Sequence, residues 1–343
     1  MGACRRRSVA FYVLVFAALV FFCSSILSSL FMCFCDDGPP ATTEEMTGED
    51  KRKLPFCHLL ALVLTSPDAF ITRDLIRNTW LKLAEEQTRS GEFCHLFPVG
   101  ILGLDSAATR RLMAEAGDHG DVLILDELSE SFNALSKKVL LTLAAVQTRF
   151  NFNYLLKVDD DSFVNFPALM KALADFKSSE QLYWGFLDGR AVVKKSGKYV
   201  EKEWTLSDRY LPYAKGGGYV LGSSLVKFLG RNKDFFKIYI NEDVSVGAWL
   251  AGLKVSYMHD LRFDTEYKSR GCVNEYLITH KQKSGDFQHL FHNLKTTDKL
   301  CTKEFTTRLS YDYNWKVSPS SCCRNRTVKE VEFLKTYNGP RKK

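Results

Sequence analysis

Several signatures of common chemistries are missing from this chain. None of its 343 residues falls in a His-Glu-x-x-His, Gly-x-Ser-x-Gly or Cys-x-x-Cys pattern, so zinc hydrolase, esterase and dithiol chemistry have no support. The glycine cluster Gly216-Gly217-Gly218-Tyr219-Val220-Leu221-Gly222 lacks the glycine spacing of a dinucleotide fingerprint, and no Gly-Lys-Ser/Thr completes a P-loop. Close approach of backbone to a ligand is its functional use, and an ordinary turn is its plain one. Dense Lys/Arg blocks and interleaved stacking aromatics are also absent, so the net charge of +7 reads as mild attraction for anionic substrates rather than nucleic-acid binding. Charged residues are missing altogether from Ser8 to Cys35. That apolar run exceeds the roughly 20 residues needed to cross a bilayer and the roughly 7–15 of a cleavable signal.

What is there organises around that run. Arg5, Arg6 and Arg7 precede it while Asp36 and Asp37 follow, which keeps the short N-terminus cytosolic by the positive-inside rule. The expected order is a cytosolic tail (1–7), a transmembrane signal-anchor (8–35), a polar, proline-bearing lumenal stem (36–54), a catalytic domain (55–324) and a C-terminal tail (325–343). Cys57, Cys94, Cys272, Cys301, Cys322 and Cys323 lie beyond the anchor. An even number suits an oxidising compartment, and about 15 connectivities are open. The adjacent Cys322 and Cys323 are expected to bond elsewhere. Asn325-Arg326-Thr327 is a sequon on the correct side for glycosylation of Asn325.

Within the domain, Cys57–Ser66 is a continuous aliphatic run typical of a strand buried on both faces. A helical pattern over 67–86, strand-like 93–102, helix-like 106–117, strand-like 121–126, helix-like 131–150 and strand-like 154–161 follow in order. This alternation predicts an α/β fold with a mostly parallel central sheet and flanking helices. Farther on, 182–186 and 198–204 look like strands, Ser223–Gly230 and Val244–Ala251 look like short helices, and the three glycines break the chain between them.

Three consecutive aspartates, Asp159, Asp160 and Asp161, close the strand-like "LLKV". Ligands bind beyond the carboxyl ends of such strands, and clustered carboxylates are relieved by a hard cation such as Mg²⁺ or Mn²⁺. An exposed acidic turn is the plainer explanation; a calcium loop is excluded because Phe163 and Val164 stand where it needs Asp/Asn and Gly. Glu242 and Asp243 open an apolar helical pattern, either as capping acids or with one as a general base. Arg73 and Arg77 are one helical turn apart, able to hold a diphosphate or to form a solvated basic face. His280 is a candidate imidazole ligand or a structural histidine.

The motifs "RDLIRNTW", "YLLKVDDDSFV", "LYWGF", "YLPYAKGGGYVLG" and "NEDVSVGAWLAGL" occur in order, and together the chain resembles the β-1,3-galactosyltransferase family from about Phe56 to Cys323. The resemblance implies a Rossmann-like nucleotide-sugar glycosyltransferase fold of GT-A type on a Golgi membrane anchor. It implies inverting, Mn²⁺-dependent transfer from UDP-galactose, with Asp161 and Asp159 as metal ligands and His280 assigned beside them. Asp243 would be the base. Arg73, Arg77, Asp159, Asp160, Gly217 and Glu242 would face the donor, as would Lys137, although Asn133-Ala134-Leu135-Ser136 before it departs from the family's usual residues. Two C-terminal stretches, "RFDTEYKSRGCVNEYLITHKQ" and "LSYDYNWKVSPSSCC", resemble most the members that extend the galactosyl-xylose primer of proteoglycan core proteins. A different family donor or acceptor, a glycan-binding ectodomain without turnover, and a two-carboxylate glycoside hydrolase are the alternatives.

Overall fold

Every position from Leu59 to Leu64 in β1 (Phe56–Leu64) is buried. Leu59, Ala61 and Val63 enter one apolar cluster while Leu60, Leu62 and Leu64 enter another, as the two-residue period of a strand requires. Such a strand needs cover on both sides, and the chain supplies it. The structure, a computed structural model, describes residues 54–176 and 180–325. The expected cytosolic tail and anchor, the stem up to residue 53, and nearly all of the C-terminal tail lie outside the described residues. Among the described residues no helix is long and apolar enough to cross a membrane.

β1 pairs in parallel with β2 (Phe93–Gly100) on one side and β4 (Asn151–Asp159) on the other, and β2 pairs in parallel with β3 (Val122–Leu125). Beyond β4 the direction reverses. β7 (Tyr213–Gly222) runs antiparallel to β4 and to β6 (Leu182–Asp188), and β6 carries the edge strand β8 (Ser256–His259) in parallel. The seven-stranded order is β3-β2-β1-β4-β7-β6-β8. The sheet is therefore mixed, with its parallel half ending at β4.

One face is covered by α1 (Phe70–Ile76), α2 (Lys82–Gln87), α5 (Phe166–Ala174) and α8 (Ser284–Thr297), through side chains such as Ile76, Leu169 and Phe287. The other is covered by α4 (Leu135–Arg149), α6 (Ser223–Arg231) and α7 (Glu242–Leu250), through Leu143, Leu229 and Val246. α3 (Ser106–His119) begins on the Asp105 cap, whose carboxylate accepts the N–H of Ala107 and Ala108, and ends at Gly120 with φ 68. The helix expected over 67–86 is interrupted. A π-type turn, Arg77–Leu81, joins α1 to α2, and Thr79 leaves helical geometry there (φ −121, ψ −106).

Three small sheets complete the domain. β5 (Ser162–Val164) lies antiparallel to β11 (Ile278–His280), which runs parallel to β9 (Phe263–Asp264). β10 (Gly271–Cys272) pairs with β12 (Phe305–Thr306), and β13 (Tyr311–Tyr313) with β14 (Cys323–Asn325).

Three expectations change. The stretch 198–204 is a pinned loop rather than a strand: the buried Glu201 carboxylate accepts N–H groups of Glu203 at 2.9 Å and Ile240 at 2.8 Å, and Trp204 packs on Tyr210 and Tyr239. Gly216, Gly217 and Gly218 do not break the chain but lie inside β7. Cys322 and Cys323 bond each other, while Cys57–Cys94 ties β1 to β2 and Cys272–Cys301 ties β10 to the segment after α8.

Candidate active site

β1 and β4 stop together, with Leu64 opposite Asp159 and the N–H of Asp160 donating to the Leu64 carbonyl at 3.2 Å. The chain turns through Asp160 and Asp161 and returns as β5. The β5–β11 register sets His280 opposite Ser162, so a residue far along the chain arrives beside the aspartates. One ligand atom from each of Asp159, Asp161 and His280 fits within 4.8 Å. His280 Nε2 lies 2.9 Å from Asp161 Oδ1 and 3.6 Å from Asp159 Oδ2. Yet neither Nε2 nor Asp161 Oδ1 has a partner in hydrogen-bond geometry, although both are buried.

The other ring nitrogen explains why. His280 Nδ1 is 2.9 Å from the Glu266 carbonyl, which can only accept, so Nδ1 carries the proton there. That leaves the Nε2 lone pair of the neutral ring facing two carboxylates. A cation between them turns repulsion into coordination, and two carboxylates with an imidazole make a donor set for a divalent ion. The residues therefore fit a divalent metal. Lys281 Nζ lies 2.7 Å from the other Asp161 oxygen, Oδ2. Burial pushes Asp160 up to about 6.

A second set of charges begins on β4 itself. Lys157, two residues before Asp159 and on the same face of β4, is 1% exposed. Its ammonium donates to Asp159 Oδ1 at 2.7 Å, Gly216 O at 2.6 Å and Glu242 Oε2 at 2.9 Å. Burial opposes its charge, but Asp159 and Glu242 outweigh it and raise its pKa. Burial also pushes Glu242 up, to about 7, against the attraction of Lys157. The Tyr219 hydroxyl donates to its other oxygen. Next to it at the start of α7, Asp243 accepts the N–H of Gly216 at 3.1 Å and of Val244 at 2.9 Å. Burial raises the pKa of Asp243 as well, against the cations of Lys215 and Lys157.

The glycines let these groups meet. A Cβ at Gly216 would touch the carboxylates of Asp243 and Glu242 at 3.4 Å, and one at Gly217 would lie 2.6 Å from Cγ and Nδ1 of His280. Gly217 therefore seats the imidazole. Its carbonyl accepts the Ser162 hydroxyl at 2.6 Å.

The structure brings together Asp159, Asp160, Asp161, Gly217, Glu242, Asp243 and His280. Arg73 and Arg77 do not join them as free donors. Arg73 is fully buried, bidentate to Glu115 at 2.8 and 2.6 Å and donating to Ser66 O at 2.6 Å. Arg77 is bidentate to Asp121 at 2.7 and 2.8 Å and also reaches Glu115 at 2.9 Å. Their guanidiniums hold the loop after β1 and the ends of α3 and β3, leaving little for a diphosphate. Lys137 is exposed, 3.4 Å from the Glu127 carbonyl. Its neighbour Lys138 turns inward, donating to Thr65 O and, at 2.5 Å, to Glu130. Helical spacing held that signal, since Lys138 shares the α4 face of Val139, Thr142 and Val146. Lys157 lies inside the motif YLLKVDDDSFV, but nothing in that pattern marks its ammonium as the partner of Glu242, 85 residues on. Asn325 is exposed at the end of β14, 3.3 Å from Arg190.

Residues 71–261 match the family model described as Galactosyltransferase. The chain is 40% identical over 310 residues to beta-1,3-galactosyltransferase 6 of Mus musculus, covering 89% of this chain and 93% of that protein. It is 30% identical over 218 residues to probable beta-1,3-galactosyltransferase 4 of Arabidopsis thaliana, covering 59% of this chain and 53% of the plant protein.

Proposed function

This chain belongs to the β-1,3-galactosyltransferase family, and on that premise we propose that it transfers galactose from UDP-galactose, with inversion and in the presence of Mn²⁺, to the galactosyl-xylose primer of proteoglycan core proteins. The product is the second galactose of the glycosaminoglycan linkage region. In this reading the domain works in the Golgi lumen behind the single-pass anchor. The observation that carries the chemistry is that one end of the sheet holds a candidate metal-ligand triad and, separately, the half-buried Asp243 carboxylate at the start of α7.

Attack of a sugar hydroxyl on the anomeric carbon of UDP-galactose needs a base and a way to stabilise the departing diphosphate. Asp159, Asp161 and His280 would hold a divalent ion, which supplies that charge stabilisation when bound. Asp243 takes the proton from the acceptor hydroxyl. Its raised pKa favours that transfer, and the two N–H groups it accepts keep the carboxylate oriented. Lys157 joins Asp159 to Glu242 through one ammonium, which holds the metal edge and the start of α7 in register. A single displacement turns the α-linked donor into a β-linked product without an enzyme nucleophile.

The test is a matrix assay with the full chain in detergent. UDP-galactose and UDP-N-acetylglucosamine are each offered with xyloside, galactosyl-xyloside and N-acetylglucosaminide acceptors, with and without Mn²⁺. Galactose transfer confined to galactosyl-xyloside is the expected result; preference for another pair refutes the assignment.

A further inference from the structure

The hairpin of β13 and β14 lies outside the residues matched by the family model, yet it packs at the same end of the sheet as the site. The Tyr311 hydroxyl donates to the Leu187 carbonyl at 2.9 Å, and His259 Nε2, at the end of β8, meets the Tyr311 carbonyl at 2.9 Å. Arg190 donates to the Cys323 carbonyl at 3.0 Å and lies over the Tyr311 ring. The Asn314 N–H donates to the Cys322 carbonyl at 2.7 Å, so the bonded cysteine pair closes the hairpin around its connecting segment.

That segment displays Trp315. Its indole stacks on Tyr313 with centroids 3.9 Å apart and an angle of 27°, and Tyr257 supports it at 5.2 Å. Despite this backing the residue is 45% exposed. The Tyr313 hydroxyl beneath is buried and has no hydrogen-bond partner. An aromatic ring held by two near-parallel neighbours and still nearly half open suits a ligand that has both a flat apolar face and hydroxyls.

The sheet order says which ligand. From β4, with the metal triad, the order continues to β7, then to β6 and β8 with the hairpin. Asp243 is hydrogen-bonded to β7 through Gly216, and the next residue back, Lys215, pairs with Asp188 of β6 at 2.7 Å. Asp188 in turn lies electrostatically beside Tyr311 and Tyr313. Trp315 thus stands on the far side of Asp243 from the metal. A base must face the acceptor hydroxyl, so the acceptor approaches from that side.

Resting on the transferase reading above, we propose that Trp315 is the platform of an acceptor subsite, on which a pyranose ring stacks. The Asp188–Lys215 pair intervenes between Trp315 and Asp243, so the stacked ring is not the one bearing the attacking hydroxyl but the next along the acceptor. The hairpin thereby selects acceptors of at least two sugars.

The experiment compares the full chain in detergent with Trp315→Ala, using a β-galactoside linked to a second pyranose and methyl β-galactoside as acceptors. Trp315→Ala is expected to raise KM for the disaccharide about ten-fold while leaving kcat, the UDP-galactose KM and the methyl galactoside KM within two-fold. Trp315→Phe should recover most of the loss. Should Trp315→Ala lower the melting temperature, the same split is read on Trp315→Leu, which still covers Tyr313 but offers no flat ring. An unchanged disaccharide KM, or equal rises for both acceptors, overturns the platform while leaving the transferase reading intact. If the wild type transfers no galactose at all, the transferase reading fails, and calorimetric binding of the disaccharide decides the platform: a ten-fold loss in Trp315→Ala supports it, and equal or absent binding ends it.

Discussion

Replacing Gly217 by alanine would strike the metal site without touching a ligand. The added methyl would sit 2.6 Å from Cγ and Nδ1 of His280 and 2.9 Å from its Cβ. Ordinary contact begins near 3.4 Å, so something must retreat by roughly 0.8 Å. β7 is an interior strand, paired with β4 on one side and β6 on the other, and the imidazole is the softer element. Its Nδ1 bond to Glu266 is already 2.9 Å; a retreat of that size carries it beyond the usual limit of about 3.2 Å and turns Nε2 away from Asp161 and Asp159. Losing an outer partner of a metal-binding histidine typically costs about 10–100-fold in affinity, and overpacking costs about 1–3 kcal/mol of stability. Titration of Mn²⁺ in the presence of UDP, followed by melting temperature or calorimetry, should show half-saturation rising by that factor. In a His280→Gly background, which removes the Cβ at 2.9 Å as well as the ring, the clash has no target, and the stability cost of Gly217→Ala should fall below about 0.5 kcal/mol. Unaltered Mn²⁺ dependence, or an undiminished cost in that background, refutes the reasoning.

Other outcomes follow from the same geometry. Asp243→Asn should lower turnover about 10²-fold or more while leaving the melting temperature and UDP binding near wild type, since the amide oxygen can still accept from Gly216; near-normal transfer would remove Asp243 as base. Lys157→Met leaves Glu242 and Asp159 without their shared cation, so denaturant unfolding should show a loss of about 3–5 kcal/mol; a loss below about 1 kcal/mol would mean the ammonium is not the tie it looks like. For Asp121, burial would raise the pKa, but hydrogen bonds from His95 and Arg77 carry it well below the carboxylate range. Its stabilising contribution is therefore present above its unfolded pKa of about 4 and lost as pH falls through the folded value. Asp121→Asn should cost about 2 kcal/mol at pH 7, and the difference from wild type should shrink below pH 4; a constant difference across that range contradicts the sign.

Much of the scaffold was legible because it is local. Aliphatic runs bounded by turn residues marked β1, β2 and β4, and three acids ending a buried run marked the metal edge. Side chains whose roles depend on distant partners were not legible. Arg73 and Arg77 have the spacing of an anion clamp, but Glu115 and Asp121 reach them only because α3 and β3 pack alongside. Lys157 reads as an aliphatic stem in a strand until β7 and α7 bring Gly216 and Glu242 to its ammonium. The stretch 198–204 alternates like a strand, and its Glu201 is instead satisfied across the loop.

By itself, then, the order of residues determined the α/β alternation, the family, and the candidates Asp159, Asp161, His280 and Asp243, since periodicity and motif spacing are properties of contiguous chain. Tertiary structure alone decided that His280 faces Asp161, that Gly217 has no side chain where the ring must fit, that Cys322 bonds its neighbour, and that Trp315 stacks on Tyr313. Each of those depends on strand register and sheet order. Both come from burying two faces of one sheet at once, which no local pattern encodes.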